Sequence, residues 1–178
     1  YVVNALQYTD EGVTPKVQVD VHARAHAIAV SDNGCGMTSV DLERYFTMHA
    51  ENIDRLRGRT GRGKFGTGKS AAFGVGTALE IDTRREGMRN IARLTREAID
   101  RSGGKDVPVE WLIRNEHTSA PNGTTVKITG IVLSRINTQA IIEYIERHLQ
   151  AFRTRLPQVA VNEHVCQYKE PVVEEVFT

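Results

Sequence analysis

The first third of the chain changes from helical to extended spacing of its apolar residues. In YVVNALQ the apolar positions recur at helical spacing, and Gly12 follows, so a helix is predicted to end there. The segments KVQVDV and HAIAV carry an apolar residue at every second position, which predicts two strands joined in a hairpin. In TSVDLERYFTMH, either Thr38 or Ser39 precedes an acidic turn, which favours a second helix.

The rest of the chain is dominated by extended patterns. Residues 49 to 63 are polar, rich in glycine and arginine and without either spacing, so a mobile loop is predicted there. TALEIDTR, RNIARLTR, VPVEWLIRN and GTTVKITGI predict successive strands of a largely antiparallel sheet. NTQAIIEYIERHL predicts a helix capped by Asn137 or Thr138, and a hairpin is predicted from Gln158 onward.

Together these elements predict an α+β fold, a two-layer α/β sandwich with helices on one face of a mixed, mostly antiparallel sheet. Residues 1–155 are expected to form one domain. Residues 156–178 are expected to form a terminal hairpin and to lead towards a following domain. The first residue is Tyr1 rather than Met, so we expect the sequence to be an excerpt of a longer protein.

The composition of the chain says more about its cellular environment than about its function. The chain has 178 residues, of which 40% are hydrophobic and 25% charged, with a formal net charge of +1, so neither nucleic acid nor a membrane is indicated as the main partner. It contains no apolar run long enough for a membrane span. Cys35 and Cys166 match no metal or redox spacing, and we therefore expect free thiols in a reducing cytoplasm.

One segment fits a phosphate-binding pattern. GKFGTGKS, residues 63–70, matches the P-loop sequence G-x-x-x-x-G-K-[ST]. A P-loop follows a buried apolar strand, whereas DRLRGRTGR precedes this segment, and no such strand can be drawn there. Asp32 or Asp82 could serve as the acidic partner of a P-loop, but apolar runs ending in an acid are common. The P-loop interpretation is therefore the weaker one.

A second set of motifs accounts for more residues. The pattern D-x-G-x-G occupies positions 32 to 36 at the end of a predicted strand, Asn4 lies upstream on a helix, the glycine-rich segment lies downstream, and a Gly-Thr pair at 123 and 124 opens a later strand. In this order the motifs resemble the GHKL ATPase superfamily, which includes DNA gyrase B, the ninety-kilodalton heat-shock chaperones, sensor histidine kinases and MutL. The resemblance spans residues 1 to about 130 and implies a Bergerat-type ATP-binding fold.

The resemblance implies a base-binding site around the D-x-G-x-G motif. Asp32 would accept a hydrogen bond from the exocyclic amine of adenine, and a base with a carbonyl there would be rejected. Gly34 and Gly36 would let the backbone approach the ring. Met37 would pack on the adenine face, and Thr124 would bond the base or a water. The alternatives are an Asx turn at Asp32, a core methionine, and a β-branched residue that simply opens a strand.

The resemblance also implies a magnesium site and a catalytic base. Asn4 would ligate Mg²⁺ through its side-chain oxygen while the metal bridges the phosphates; the alternative is an ordinary asparagine near a helix end. Family members usually place a glutamate general base four residues before this asparagine. That position falls immediately before Tyr1, so we predict that a glutamate precedes Tyr1 in the full protein.

The glycine-rich segment would form a lid over the phosphates. Phe65 would anchor it, the glycine N–H groups would face phosphate, and the following helix would favour the anion. Lys64 and Lys69 would contact the terminal phosphate or remain solvated surface charges. The candidate lid residues are Gly63, Lys64, Phe65, Gly66, Thr67, Gly68, Lys69 and Ser70.

The resemblance therefore implies Mg-ATP binding and hydrolysis that drive lid closure and nucleotide-dependent homodimerisation in a larger protein. The long lid is closer to the chaperone, MutL and topoisomerase branches. Alternatives are the ATP-binding domain of a histidine kinase, a catalytically inactive nucleotide-binding module, or a P-loop hydrolase. A DNA or protein client is left open, because a cluster of arginines could meet DNA or form a solvated face. It comprises Arg84, Arg85, Arg89, Arg93 and Arg96.

Overall fold

The computed structural model describes residues 1–46, 72–102, 109–149, 151–152 and 156–169. The helices are α1 (Val2–Gln7), α2 (Ser39–Phe46), α3 (Arg96–Ser102) and α4 (Thr138–His148). The strands are β1 (Lys16–His22), β2 (Ala27–Asp32), β3 (Ala78–Arg85), β4 (Met88–Thr95), β5 (Glu110–His117), β6 (Gly123–Thr129), β7 (Gln158–Val161) and β8 (His164–Val165). A helical turn covers residues 72–75, and a 3₁₀ turn, Ala23–Ala25, joins β1 to β2.

The described strands form one eight-stranded sheet in the order β5-β4-β3-β6-β2-β1-β7-β8. Neighbouring strands are antiparallel except β1 and β7, which run parallel with Lys16 opposite Gln158. The sheet is therefore mixed and mostly antiparallel, which confirms the predicted α+β class. The hairpin predicted from Gln158 onward forms β7 and β8 and extends this same sheet. The proposed boundary after residue 155 stays a prediction.

Capping side chains fix where two helices begin. Thr38 precedes α2: its hydroxyl accepts from the Asp41 backbone N–H at 3.1 Å, and the Asp41 carboxylate accepts from the Thr38 N–H at 3.2 Å. This reciprocal pair is a capping box, and it selects Thr38 over Ser39 as the cap. Asn137 caps α4 by accepting from the Ala140 N–H at 3.1 Å.

The core lies between the helices and one face of the sheet. One cluster joins α1 and α4 to β1 and β7, with Leu6, Val19 and Ile145 among its buried members. A second cluster places α2 on β3, where Phe46 and Ile81 are buried. This arrangement follows from the period-2 burial of the strands and the apolar stripe of each helix. None of the helices in the described ranges is long and apolar enough to cross a membrane.

The opposite face of the sheet carries paired charges. Arg89 contacts Asp82 at 2.8 Å and Arg93 contacts Glu80 at 2.6 Å, in each case between β4 and β3. Of the two interpretations given for the arginine cluster, a solvated charged face therefore fits Arg89 and Arg93. Arg84 lies on this face too, opposite Arg89. The two remaining members lie elsewhere: Arg85 pairs with Asp41, and Arg96 donates to backbone carbonyls beside the 72–75 turn.

The hairpin is fastened to α4 by Glu146, which is only 2% exposed. Its carboxylate lies 2.7 Å from Lys169 Nζ and 3.1 Å from His164 Nε2, and it accepts from the Gln167 N–H at 3.2 Å. Burial by itself raises the pKa of Glu146, but the hydrogen bonds from Lys169, His164 and Gln167 outweigh it and lower the pKa to about 2.

Candidate functional site

A row of polar residues crosses the helix-facing side of the sheet at one end. Register places Asp32 opposite Thr124, Thr124 opposite Thr83, and Thr83 opposite Asn90. Thr83 and Asn90 are 0% exposed and Thr124 is 9% exposed. Buried polar groups are rare unless they are satisfied or used, so this row marks the candidate site on an otherwise apolar face.

The Asp32 carboxylate stands at the end of β2 and is partly buried. Its Oδ1 accepts the Gly34 N–H at 2.8 Å, and the carboxylate also accepts the Thr124 N–H. Burial raises the pKa of Asp32, while these two N–H groups and the charge of Arg84 oppose that rise. The Asx turn considered as an alternative is therefore present. A carboxylate has about four acceptor positions, so capacity remains for a donor on a ligand.

The two glycines of the motif are required by backbone packing. A Cβ at Gly34 would lie 2.9 Å from both Asp32 Oδ1 and the Tyr8 carbonyl oxygen, and the Cys35 N–H donates to that carbonyl at 2.9 Å. Gly36 has a φ of 68°, and a Cβ there would collide with the Arg84 carbonyl oxygen. The loop is thus held between the end of α1 and β3. Contact of these glycines with a bound ring stays a prediction.

Thr83 joins the two sides of the candidate site. Its Oγ1 accepts from the Met37 N–H at 2.8 Å and lies 3.1 Å from the Thr124 hydroxyl oxygen. Thr83 is a site residue that the sequence motifs did not predict. Its signal was available, because alternation in ALEIDTRR places Thr83 on the same buried face as Leu79 and Ile81.

Met37 follows Asp32 by five residues, and Thr124 lies opposite Asp32 across the sheet, while their contact with a bound base stays a prediction. The Met37 side chain is partly buried and packs against the second core cluster, so the core-methionine alternative describes part of its role. Thr124 is the second residue of β6 and lies opposite Asp32 on one side and Thr83 on the other. The preceding Gly123 is tightly packed, because a Cβ there would collide with the Asp32 carbonyl oxygen.

Asn4 lies on α1, and its side chain is exposed. The C-terminal end of α1 reaches the motif through the bond between the Tyr8 carbonyl and the Cys35 N–H. An exposed carboxamide oxygen is a hard ligand of the kind that Mg²⁺ accepts, which fits the predicted role. Within the described residues there is no cluster of three or more His, Cys, Asp or Glu side chains that could hold a metal.

The predicted lid falls outside the described residues. This applies to Gly63, Lys64, Phe65, Gly66, Thr67, Gly68, Lys69 and Ser70. The described chain resumes at Ala72, which is buried, in the helical turn 72–75. Arg96 donates to the carbonyls of Phe73 and Gly76 and so caps the end of this turn.

Comparison with solved structures places the fold among ATPase domains. The chain resembles the ATPase region of Saccharomyces cerevisiae topoisomerase II with a TM-score of 0.62 at 15% sequence identity. The match covers 92% of this chain and 46% of that one, so the chain spans less than half the length of the solved protein. At this identity the likeness shows the fold alone.

The sequence itself defines the family. The family model described as histidine kinase-, DNA gyrase B- and HSP90-like ATPase matches residues 4–124, which is more than half of the chain. The chain therefore belongs to this family, and the predicted GHKL membership is confirmed. The matched residues include Asn4, the D-x-G-x-G motif and Thr124. No curated protein matches the sequence.

Proposed function

We propose that this chain binds Mg-ATP, with the adenine ring beside Asp32, Met37 and Thr124, and that it hydrolyses the bound nucleotide. The observation that carries the proposal is the Asp32 carboxylate, held at the strand end by the Gly34 and Thr124 N–H groups. An ionised carboxylate only accepts hydrogen bonds, so it suits the exocyclic amine of adenine and opposes the carbonyl of guanine.

The phosphates and the metal are assigned to the flanking motifs. Asn4 would hold Mg²⁺, which would neutralise phosphate charge when bound. The N–H groups of the segment from Gly63 to Ser70 would bind the phosphates, with Lys64 and Lys69 as candidate phosphate contacts and Phe65 as the anchor. A glutamate preceding Tyr1 would act as the general base for the attacking water. Family membership supports this assignment.

We propose further that ATP closes the lid and favours homodimerisation within a larger protein of the chaperone, MutL or topoisomerase type. Support comes from the family and from the fold shared with a topoisomerase ATPase region. A ligand shifts such an equilibrium only through contacts that differ between the open and closed states, and contacts with the γ-phosphate would supply that difference. Residues 156–178 would then lead to the part of the protein that acts on a DNA or protein client.

Binding measurements with two carboxylate variants test the base assignment. Asp32→Asn should weaken ATP binding about 10–100-fold, because hydrogen bonds to charged groups contribute about 1.5–3 kcal/mol. Asp82→Asn is the matched control, since Asp82 pairs with Arg89 on the opposite face. Calorimetric titration with ATP and GTP would measure both variants. Equal binding of both nucleotides, unchanged by Asp32→Asn, would show that the base is not recognised at Asp32.

A second measurement separates hydrolysis from phosphotransfer. With the upstream residue restored, release of inorganic phosphate from ATP is expected. Phosphate retained on a histidine of the protein would instead favour a histidine kinase. Tight ATP binding with no turnover would indicate an inactive nucleotide-binding module.

A further inference from the structure

Arg84 carries a positive charge near the strand end that holds Asp32, and it forms no salt bridge with a carboxylate among the described residues. It lies on β3 directly opposite Gly123, and its Nη2 is 3.5 Å from the place where a Cβ at Gly123 would stand. Its Nε is buried and has no hydrogen-bond partner among the described residues. The other arginines on this sheet face differ, because Arg89 and Arg93 are each neutralised by a carboxylate.

The glycine at position 123 lets this charge lie close to the strand end that carries Asp32. A side chain there would collide with the Asp32 carbonyl oxygen and would stand next to the Arg84 guanidinium. Arg84 and Asp32 make no direct salt bridge in the described structure, so the charge acts on the carboxylate through space. In a partly buried setting such an interaction is weakly screened.

We propose that Arg84 is a positioning residue that keeps Asp32 ionised and thereby sets the pH range over which the site discriminates adenine from guanine. The inference rests on the proposed function and assigns to it a residue that makes no contact with the base. Its geometric support is the placement of Arg84 beside Gly123, the residue packed against the Asp32 carbonyl oxygen, together with the absence of a salt-bridge partner for Arg84 among the described residues.

The chemistry follows from the two protonation states of one carboxyl group. The ionised form only accepts, so it bonds the adenine amine and repels the guanine carbonyl. The protonated form carries an O–H donor that can bond the guanine carbonyl, so the discrimination is lost when Asp32 takes up a proton. A nearby positive charge favours the ionised form and therefore extends discrimination to lower pH.

In the described part of the chain, few other charged or titratable groups act on Asp32. Cys35, in the loop, interacts with Asp32 electrostatically; burial raises the pKa of this thiol, Arg85 opposes that rise, and Asp10 and Asp32 add to it. From the remaining elements the neighbours are neutral: Val17 on β1, Thr124 on β6, Thr83 on β3, and the Tyr8 carbonyl at the end of α1. Among the residues that the structure describes, Arg84 is therefore the positive charge whose removal should act most directly on Asp32.

The first test needs no nucleotide. Carboxyl-carbon NMR of aspartate-labelled protein would follow the titration of Asp32 in the wild type, Arg84→Met, Arg84→Lys and Arg89→Met. In Arg84→Met the Asp32 titration should move to higher pH, and in Arg84→Lys it should stay near that of the wild type. Arg89→Met is the matched control, because Arg89 lies opposite Arg84 on β4 but is paired with Asp82. An Asp32 titration that is the same in Arg84→Met and wild type would overturn the inference.

The second test measures the ratio of GTP to ATP dissociation constants as the pH is lowered. Arg84→Met should lose discrimination at a higher pH than the wild type, while Arg84→Lys should resemble the wild type. If Arg84→Met shifts the Asp32 titration but Asp32→Asn binds ATP as tightly as the wild type, the proposed function fails and the electrostatic role of Arg84 stands. If Asp32→Asn weakens ATP binding but the ratio of GTP to ATP dissociation constants has the same pH dependence in Arg84→Met and the wild type, the role of Arg84 in discrimination is refuted.

Discussion

Replacing Thr83 by valine removes one hydroxyl group from the buried polar row and keeps the shape of the side chain. The Met37 N–H then loses its acceptor at 2.8 Å, and the Thr124 hydroxyl loses its neighbour at 3.1 Å. A buried donor left without a partner costs about 1–3 kcal/mol. Since about 1 kcal/mol shifts the Tm of a domain of this size by about 2–4 °C, we expect a loss of roughly 2–12 °C.

Thermal unfolding followed by circular dichroism measures this effect. Thr125→Val is the matched control, because it makes the same substitution on β6, next to Thr124, and loses a bond to Ser31 Oγ at 3.0 Å on the other, charged face of the sheet. The control should cost less than Thr83→Val, about 0.5–1.5 kcal/mol at most, because it breaks one hydroxyl–hydroxyl hydrogen bond and leaves the Met37 N–H acceptor in place. ATP binding should weaken in Thr83→Val alone, because Met37 and Thr124 lose their common partner. Equal Tm values for the two variants would refute the assigned role of Thr83.

Three further outcomes are expected. Gly36→Ala should lower the free energy of unfolding by more than about 1 kcal/mol, because φ is 68° and the Arg84 carbonyl oxygen blocks a Cβ. Gly74→Ala is the control, since nothing lies within 4 Å of a Cβ there, and it should not have this effect. Urea unfolding of both variants measures the difference. The pKa of Glu146 is lowered to about 2 in the folded state, so its ionised carboxylate stabilises the fold fully above the ordinary pKa near 4.5, and this stabilisation is lost as the pH falls towards 2. Between these pH values the free energy of unfolding should therefore fall more in the wild type than in Glu146→Gln. Asn4→Ala should weaken ATP binding in magnesium more than in EDTA, and an equal loss in both would remove Asn4 from the metal site.

Local sequence patterns predict the elements of this fold well, because each depends on neighbours along the chain. The alternation in KVQVDV fixes which face of β1 is buried, and the Thr38–Asp41 pair marks the start of α2 within four residues. The D-x-G-x-G motif is local in the same sense, since the Asp32 turn closes on Gly34.

The features that were missed depend on strand register. Thr83 reaches Thr124 from 41 residues away, and Arg84 lies beside Asp32 only because β6 pairs with both β3 and β2. A single sequence carries no direct signal for such pairing. Glu146 is a similar case, because its partners His164 and Gln167 follow it along the chain by 18 and 21 residues.

The parallel pairing of β7 with β1 has a mechanical consequence. Val17 lies opposite Asp32 on one side and opposite Val159 on the other, so a single strand separates β7 from the strand that carries the Asp32 carboxylate. Two strand spacings amount to roughly 10 Å. Tension applied to the chain beyond β8 would first load the Glu146 contacts and then shear the ladder between β7 and β1. Three hydrogen-bonded ladders, β8–β7, β7–β1 and β1–β2, therefore separate the strand where force enters the sheet from the strand that carries Asp32.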